Sequence, residues 1–402
     1  MGRGPGRGGP HPRHQDSNKT TKTLGNIGVV RLASMAVTHN CNESKERGGR
    51  PFVSIIVPCY NTAGPRFANF LDHLLELDYP KDKLEIIVVD DGSTDNTSDI
   101  VKKYGGRIGL IKHPKNLGRS VALNTGVKHA KGSILLFLNS DIIVSRSLLN
   151  NIVKEYTNSC IGGVGCLIIT PRSDNWILEY MRILRYGEYV GPKIMSFAPC
   201  TMCVSYRKDV IEAVGGFDPE LSEVGEDIDI WLKVKRKGYH VVFSEEAVCW
   251  HYHYKNFWAF IKYVWIHGRD TPKWLRKNRD YATLRFRYSL FCQSLPVYSL
   301  FWLLALAVSI KLEWVIIQRI CIVATLIFVL MTTHYVLKRL RKAKDGASTW
   351  RSRMRNPNRV PERTTPQKLA FVCFMVFITL TSSFVKTMGK LYGNLLYRFI
   401  VL

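Results

Sequence analysis

The chain lacks any regular spacing of cysteines, although ten of them occur among its 402 residues. Small disulfide-stabilised domains have an ordered cysteine framework, so that class of protein is excluded. Cys200 and Cys203 have the spacing of half a zinc site, but no second pair or suitably spaced histidine accompanies them. We therefore expect the cysteines to be reduced, buried thiols of a protein that faces the cytoplasm.

Residues 1–50 lack an apolar segment long enough for a signal peptide or a membrane anchor. Position six is Gly6, where N-myristoylation requires Ser or Thr. The segment is instead rich in Gly, Pro and Arg, which cannot bury an apolar core. We predict a disordered basic tail over residues 1–50.

Acidic residues are scarce, since 32 Asp and Glu stand against 57 Lys and Arg and the formal net charge is +25. The excess is concentrated in the tail and in residues 338–368. No nucleic-acid-reading motif accompanies these tracts, so we expect no nucleic-acid partner. Such tracts are usually solvated or face a membrane.

Charge is almost absent from three C-terminal segments, residues 288–310, 314–337 and 369–385. Their lengths approach the ~20 residues that cross a bilayer. We predict a membrane region over residues 288–402, preceded by an amphipathic, interfacial connector at 256–287. The positive-inside rule then places the basic loop 338–368 and the part of the chain that precedes the membrane region in the cytoplasm. The chain is predicted to be a multi-pass protein of a plasma-membrane-type or ER-type bilayer.

Between residues 52 and 254, short continuous apolar runs alternate with segments whose apolar residues have helical spacing. Strands are predicted at 52–57, 84–90, 108–112 and 133–138, with helices between them. This order indicates βαβ units and a Rossmann-like, mostly parallel α/β sheet.

Polar side chains stand at the ends of three of these predicted strands. Tyr60 and Asn61 follow the first, Asp90 and Asp91 end the second, and Asn139-Ser140-Asp141 follow the fourth. The carboxyl ends of parallel strands meet at one edge of a sheet, where ligands bind. We therefore expect these side chains to share a pocket.

Six motifs in order resemble those of family 2 glycosyltransferases. They are VSIIVPCYN at 53–61, VVDDGSTD at 88–95, NLGRSVALNTG at 116–126, LNSD at 138–141, VGGFD at 214–218 and GEDID at 225–229. The resemblance covers about residues 52–254 and implies a GT-A catalytic domain, which we place at 51–255. It also implies a nucleotide-diphosphate sugar as donor and Mg²⁺ or Mn²⁺ as cofactor.

The resemblance assigns residues to the donor. They are Pro58, Tyr60, Asn61, Asp90, Asp91, Arg119 and Asn139. Pro58 and Tyr60 would line the base pocket, and one of the two aspartates would accept hydrogen bonds from the base or ribose. Arg119, at the start of a helix, would meet the phosphates. Asn139 stands where the family has the first acid of an Asp-x-Asp motif, and its amide can still bind ribose hydroxyls.

The resemblance also assigns the metal and the chemistry. Asp141 would bind the cation, and His251 stands where many GT-A enzymes supply a late histidine to the metal or the diphosphate. Asp227 would be the general base, supported by Glu226 or Asp229. The implied reaction is a single displacement that inverts the anomeric carbon, with the metal stabilising the leaving nucleoside diphosphate.

The predicted membrane spans favour a lipid-linked or other membrane-proximal glycan acceptor. One alternative is a processive polysaccharide synthase of the cellulose or hyaluronan type. Those enzymes carry Gln-x-x-Arg-Trp, of which Asp270-Thr-Pro-Lys-Trp274 keeps only the Trp and a basic residue. The other is an inactive nucleotide-sugar-binding scaffold, which Asn139 favours and intact Asp141 and Asp227 oppose. The sequence identifies neither the sugar and nucleotide nor the oligomeric state.

Overall fold

A computed structural model describes residues 49–170, 198–221, 223–251, 256–279 and 365–396, with shorter pieces at 175–177 and 179–180 and within 323–337. The predicted tail, the predicted spans at 288–310 and 314–337 and the basic loop 338–368 lie wholly or largely outside these residues.

The structure contains eight strands and, among the described residues, eight α-helices and two short 3₁₀ helices. The strands are β1 (Val53–Cys59), β2 (Leu84–Asp90), β3 (Gly109–Lys112), β4 (Ile134–Leu138), β5 (Ile142–Val144), β6 (Ile161–Ile169), β7 (Cys203–Arg207) and β8 (His240–His251). The α-helices are α1 (Pro65–Leu75), α2 (Thr97–Lys102), α3 (Arg119–His129), α4 (Leu148–Val153), α5 (Lys208–Ala213), α6 (Glu226–Arg236), α7 (Phe257–Lys277) and α8 (Thr365–Leu396). The 3₁₀ helices are Lys81–Lys83 and Gly105–Arg107. The strands and helices predicted up to residue 138 are confirmed close to their expected ends, whereas β5 and α4 were not predicted.

All eight strands form one sheet in the order β3-β2-β1-β4-β7-β6-β8-β5. Strands β3, β2, β1 and β4 are parallel, so the segments that follow them lie along one edge. Strand β7 is antiparallel to β4 and β6, and β5 is antiparallel to β8. The prediction of a mostly parallel sheet is therefore confirmed for the first half, while the second half is mixed. A short buried strand has the same apolar pattern in either direction, so its orientation cannot be read from that pattern.

Apolar layers cover both faces of the sheet. Ile55 belongs to a buried cluster with α1, α2 and α4, and the next residue, Ile56, belongs to a cluster with α3, α5 and α6. Helix α3 approaches β1 closely, since a Cβ atom at Gly126 would lie 2.3 Å from Cγ2 of Ile56. Burial on both faces explains the continuous apolar runs of these strands.

Helices α7 and α8 cross at a pair of glycines. A Cβ atom at Gly268 would lie 2.2 Å from the carbonyl oxygen of Lys386, and one at Gly389 would lie 2.7 Å from that of Trp265. Helix α8 contains the third predicted span, residues 369–385. Among the residues that the structure describes, no helix has both the length and the apolar character needed to cross a membrane. The membrane region stays a prediction.

Five described cysteines, residues 59, 166, 200, 203 and 249, are free thiols. Burial, followed by the nearby charge of Asp90, raises the pKa of Cys59 to about 12, so this thiol stays protonated. The prediction of reduced thiols is confirmed at these positions. It is wrong at Cys160, which is disulfide-bonded.

Candidate active site

The end of β1 is tied to the turn that follows β2. Pro58 is buried within β1, whereas Tyr60 is 44% exposed just beyond it. Asn61 has a positive φ of 51°. Its backbone N–H donates to Ser93 Oγ at 2.9 Å, and its side-chain oxygen accepts from the Thr94 N–H at 2.9 Å. Asn61 therefore holds the two strand ends together beside an accessible aromatic ring.

Asp90 is completely buried and is surrounded by donors from its own turn. Its carboxylate accepts from the Ser93 N–H at 2.8 Å and from the Ser98 hydroxyl, and Lys112 Nζ lies 3.9 Å away. These contacts join the end of β2 to the first turn of α2. In this structure, Asp90 organises the turn rather than facing an open pocket.

Asp91 anchors the loop that leads into α3. Its carboxylate accepts from the backbone N–H groups of Leu117 at 2.9 Å and Gly118 at 2.8 Å. His113 Nδ1 lies 2.7 Å from the same carboxylate, and the aspartate is 4% exposed. Arg119 follows Gly118 in the chain, so its position is set by the buried carboxylate of Asp91.

Two further contacts stiffen this connection. Gly92 has a φ of 75°, and a Cβ atom there would lie 2.3 Å from the carbonyl carbon of Lys115. His113 Nε2 lies 3.0 Å from Oγ1 of Thr125 in α3. Only glycine allows the turn after β2 to touch the loop at residues 115–118 this closely.

The guanidinium of Arg119 connects β4 to the start of α6. Its Nη2 donates to Asn139 Oδ1 at 2.5 Å and to Thr201 Oγ1 at 3.1 Å, and its Nε lies 3.3 Å from Glu226 Oε1. The Thr201 hydroxyl donates to the same Glu226 oxygen at 2.9 Å. Because Glu226 is 7% exposed, this is a largely buried network that joins three separate parts of the chain.

The first turn of helix α6 contains three acidic residues, Glu226, Asp227 and Asp229, and Gly225 precedes the helix. Gly225 has a φ of 92°, and a Cβ atom there would lie 2.5 Å from Cδ1 of Trp274 in α7. Asp227 is half-buried, and its carboxylate accepts from its neighbour's backbone N–H at 2.8 Å. Asp229 is 4% exposed and lies 2.9 Å from Lys233 Nζ. Of the three acids, Asp227 is the most accessible to a substrate.

Asp141 and His251 are brought together by the pairing of β5 with β8. Ile142 lies opposite His251 in the antiparallel register, so the preceding aspartate is adjacent to the imidazole. Their Oδ2 and Nε2 atoms are 3.0 Å apart, with the Asp141 side chain 58% exposed and the His251 side chain 7% exposed. His253 lies outside the described residues.

This pair fits a divalent cation that takes two protein ligands. Carboxylate and imidazole both suit Mn²⁺, and Mg²⁺ commonly binds one or two carboxylates plus substrate phosphates. Within the described ranges, no group of three or more His, Cys, Asp or Glu side chains could hold a metal ion.

The structure joins Asp91, Arg119, Asn139 and Glu226 in one network, and Asp141 and His251 form a separate pair. Asn61 and Asp90 lie at the β1 and β2 ends, and Asn139 and Glu226 lie at the guanidinium. His113 and Thr201 complete these networks and were not predicted. Neither residue lies in a recognisable motif, and their partners are distant in sequence, so no local pattern could have identified them.

Comparison with known proteins gives a consistent result for this part of the chain. Residues 54–215 match the family described as Glycosyl transferase family 2. A probable glycosyltransferase from Bacillus subtilis, YdaM, is 28% identical over 257 residues, which are 60% of this chain and 58% of that protein. The poly-beta-1,6-N-acetyl-D-glucosamine synthase of Staphylococcus aureus is 25% identical over 49% of each chain. The chain thus spans about half the length of such relatives.

A solved structure shows the same fold. The mannosyltransferase PcManGT from Pyrobaculum calidifontis, in complex with GDP-Man and Mn²⁺, superposes with a TM-score of 0.50 at 19% identity. The match covers 85% of this chain and 88% of that one. At this identity, the match establishes the mixed α/β GT-A fold and leaves substrates open.

Proposed function

We propose that this chain, in which residues 54–215 form a family 2 glycosyltransferase domain, is a membrane-bound inverting glycosyltransferase. It would move a sugar from a nucleotide-diphosphate donor to a lipid-linked or other membrane-proximal glycan acceptor. The observation that carries the proposal is the network of Asp91, Arg119 and Glu226. Through the backbone at residues 117–118 and through the guanidinium, it connects the donor edge of the sheet to the acidic start of α6.

The donor edge supplies the groups that a nucleotide needs. Tyr60 offers an accessible aromatic face to the base, and Pro58 and Asn61 flank it. Asp91 holds the loop before Arg119, whose guanidinium lies at the start of a helix. A cation at that place attracts the diphosphate, and the helix N-terminus adds to this attraction. Asn139, whose side-chain oxygen accepts a hydrogen bond from the Arg119 guanidinium, would form hydrogen bonds with the ribose hydroxyls.

Asp141 and His251 would hold the metal ion beside the diphosphate. Bound Mg²⁺ or Mn²⁺ would supply positive charge to the leaving nucleoside diphosphate. The Mn²⁺ in the similarly folded mannosyltransferase supports this assignment. Asp141 lies two residues after Asn139 in the chain, and His251 lies 3.0 Å from Asp141, so the cation would be bound at the donor edge.

Asp227 would accept the proton of the acceptor hydroxyl. As that oxygen forms its bond to the anomeric carbon, the bond from this carbon to the diphosphate oxygen breaks, and the configuration inverts. Glu226 makes hydrogen-bonded or ionic contacts with Thr201 and Arg119, so it would fix the position of the helix while Asp227 reacts.

Membrane attachment is supported by the C-terminal sequence and by apolar side chains on α7 and α8. The apolar segments at 288–310, 314–337 and 369–385 have membrane-spanning length, and basic residues 338–368 favour a cytoplasmic catalytic domain. Trp258 on α7 is 75% exposed. Phe377, Phe384 and Met388 recur on α8 at helical spacing and are 36–57% exposed. Exposed apolar surface of this kind is common where proteins contact lipid or another protein.

The test measures sugar release and transfer by the full-length chain in isolated membranes, with a panel of UDP-sugars and GDP-sugars. We expect Asp227→Asn to lower transfer at least about 100-fold, since general-base catalysis contributes this much or more. Asp141→Ala should also lower transfer, because it removes a proposed ligand of the metal that stabilises the leaving group. Asp99→Asn, which lies on the surface of α2, is the matched control and retains the wild-type rate. Wild-type rates in Asp227→Asn would overturn the assignment of the base. Activity that resists chelation would overturn the metal site.

A processive synthase is the second candidate, favoured by the similarity to the Staphylococcus polysaccharide synthase. Trp274 also lies directly against Gly225 at the start of α6. Product length separates the two: a single added sugar supports the transferase, and a ladder of longer products supports the synthase. An inactive scaffold would bind nucleotide sugar and release none.

A further inference from the structure

A cavity of about 110 Å³ lies beside the start of α6, and no residue that lines it has been given a catalytic or donor-binding role above. One wall is formed by Glu220, Leu221, Glu223 and Val224, which shortly precede Glu226 in the chain. The other wall is formed by Arg269, Asp270 and Lys273 of α7. The cavity therefore lies between the catalytic helix and the first helix of the C-terminal region.

The first wall is connected to the catalytic network. The carbonyl oxygen of Leu221 accepts from the hydroxyl of Ser120 at 2.9 Å, and Ser120 follows Arg119 in α3. Glu223 is exposed, and it is near enough to Glu226 and Arg119 for their charges to act on its carboxyl group. Partial burial, together with the charge of Asp270, raises the pKa of Glu223. A ligand in this cavity would thus lie close to the acidic start of α6.

The second wall is held in place by ion pairs and a buried ring. Arg269 contacts both carboxylate oxygens of Asp270 at 2.7 Å. Further along α7, Lys277 pairs with Asp218 and with Glu220, the latter at 2.9 Å. Trp274 is 2% exposed and lies under Gly225. These contacts pack α7 against the residues that precede α6.

The lining indicates which class of ligand fits. Three carboxylates, from Glu220, Glu223 and Asp270, stand with two cations, from Arg269 and Lys273. A phosphate would meet more negative than positive charge here, which disfavours its binding. Sugar hydroxyls, in contrast, donate to carboxylates and accept from Arg and Lys, so they are satisfied by both kinds of group. Leu221 and Val224 add apolar surface for the C–H face of a sugar ring.

We propose that this cavity binds the hydroxyl groups of a neutral sugar unit of the acceptor and presents that unit to Asp227. This inference rests on the proposed glycosyltransferase activity and narrows it. The acceptor is a glycan or glycolipid that already carries a sugar, and its recognised group is not a bare lipid phosphate.

The experiment uses the full-length protein in membranes and two sets of short alkyl probes. The first set consists of octyl glycosides of glucose, galactose, mannose and N-acetylglucosamine. The second contains only octyl phosphate. We expect transfer to at least one octyl glycoside and none to octyl phosphate. Transfer to octyl phosphate but to no glycoside would overturn the inference.

Two variants then place the acceptor in the cavity. Glu223→Gln and Lys273→Met should each raise the KM for the accepted glycoside about tenfold or more, since a hydrogen bond to a charged group is worth this much. Hydrolysis of the donor in the absence of acceptor should stay within about twofold of wild type, because both residues line the cavity and neither is one of the proposed donor-binding residues. Glu212→Gln, an exposed glutamate on α5, is the control and leaves both quantities unchanged.

Failure of this inference and failure of the proposed function give different results. An unchanged acceptor KM in both cavity variants overturns the acceptor site, even where donor hydrolysis depends on Asp141. Glu223→Gln keeps shape and volume at an exposed position, so loss of folding is not expected to mask its effect. A wild-type protein that hydrolyses no donor overturns the transferase itself, and the acceptor site with it.

Discussion

The two halves of the sheet hold their polar side chains by different means. In the β1–β4 half, Asp90 and Asp91 are enclosed, and they accept hydrogen bonds from backbone N–H groups, a hydroxyl and an imidazole. In the half with α6 and α7, most such contacts are between charged side chains, as in the pairs Arg269–Asp270 and Lys233–Asp229.

Under the function proposed above, this difference corresponds to the two tasks of a glycosyltransferase site. Backbone donors have little conformational freedom to lose, so a carboxylate bound by them is held in one geometry. A pair with a solvent-exposed partner, such as Lys277–Glu220, can exchange partners at small cost, because exposed pairs contribute little. The first half is therefore suited to a constant donor, and the second half can adjust around an acceptor.

The largest expected effect is in the enclosed half. Asp91→Ala leaves two backbone N–H groups and the His113 ring without their acceptor, which should lower the free energy of unfolding by about 4 kcal/mol. The unfolding midpoint of the full-length chain, measured by thermal unfolding in detergent, should fall by about 8 °C or more. Asp99→Ala, at a 65% exposed site, is the control and leaves the midpoint close to wild type. Equal midpoints for the two variants would contradict the idea of a rigid donor half.

A smaller effect is expected where the two halves meet. Gly225→Ala introduces a Cβ atom 2.5 Å from the Trp274 ring and strains a backbone φ of 92°. Gly215→Ala strains a φ of 78° but finds no atom within 4 Å. The backbone cost is about 1–2 kcal/mol at both sites, and overpacking adds about 1–3 kcal/mol at Gly225 alone.

The same comparison has a kinetic readout. Because Gly225 immediately precedes Glu226 and Asp227, Gly225→Ala should also lower kcat, whereas Gly215→Ala should not. Thermal unfolding and transfer assays on both variants measure the two effects. A Gly215→Ala variant as impaired as Gly225→Ala in both assays would show that the contact with α7 does not position the catalytic helix.

The smallest effect is expected among the charged pairs of the second half. Lys277→Met removes the pairs with Asp218 and Glu220, which should cost about 0.5–1 kcal/mol and should disappear at high salt. Partial burial lowers the pKa of Lys277, but its hydrogen bonds to the two acids outweigh this and raise it overall. The stabilisation is therefore present at neutral pH and is lost as the pH rises above the ordinary lysine range. Thermal unfolding at low and high salt tests this, and an effect as large as that of Asp91→Ala would remove the contrast between the halves.

Much of the first half followed from sequence because its information is local. The Leu84–Asp90 strand and the helix that begins at Arg119 are each contiguous in the chain, and each was predicted from its own apolar spacing. The polar residues at the strand ends could be grouped from the sequence as well, because a parallel sheet brings the ends of its strands to one edge.

Tertiary structure alone decided the rest. The antiparallel direction of β7, the contacts of Thr201 with Arg119 and Glu226, and the cavity between residues 220–224 and α7 all join segments that are distant in the chain. Apolar periodicity records whether a residue is buried and on which face of its own helix or strand it lies. It does not record which distant segment packs against that face, because this depends on how the intervening chain folds back. The sequence therefore determined the strands, the turns and the chemistry at their ends, and the folded chain determined which of those groups act together.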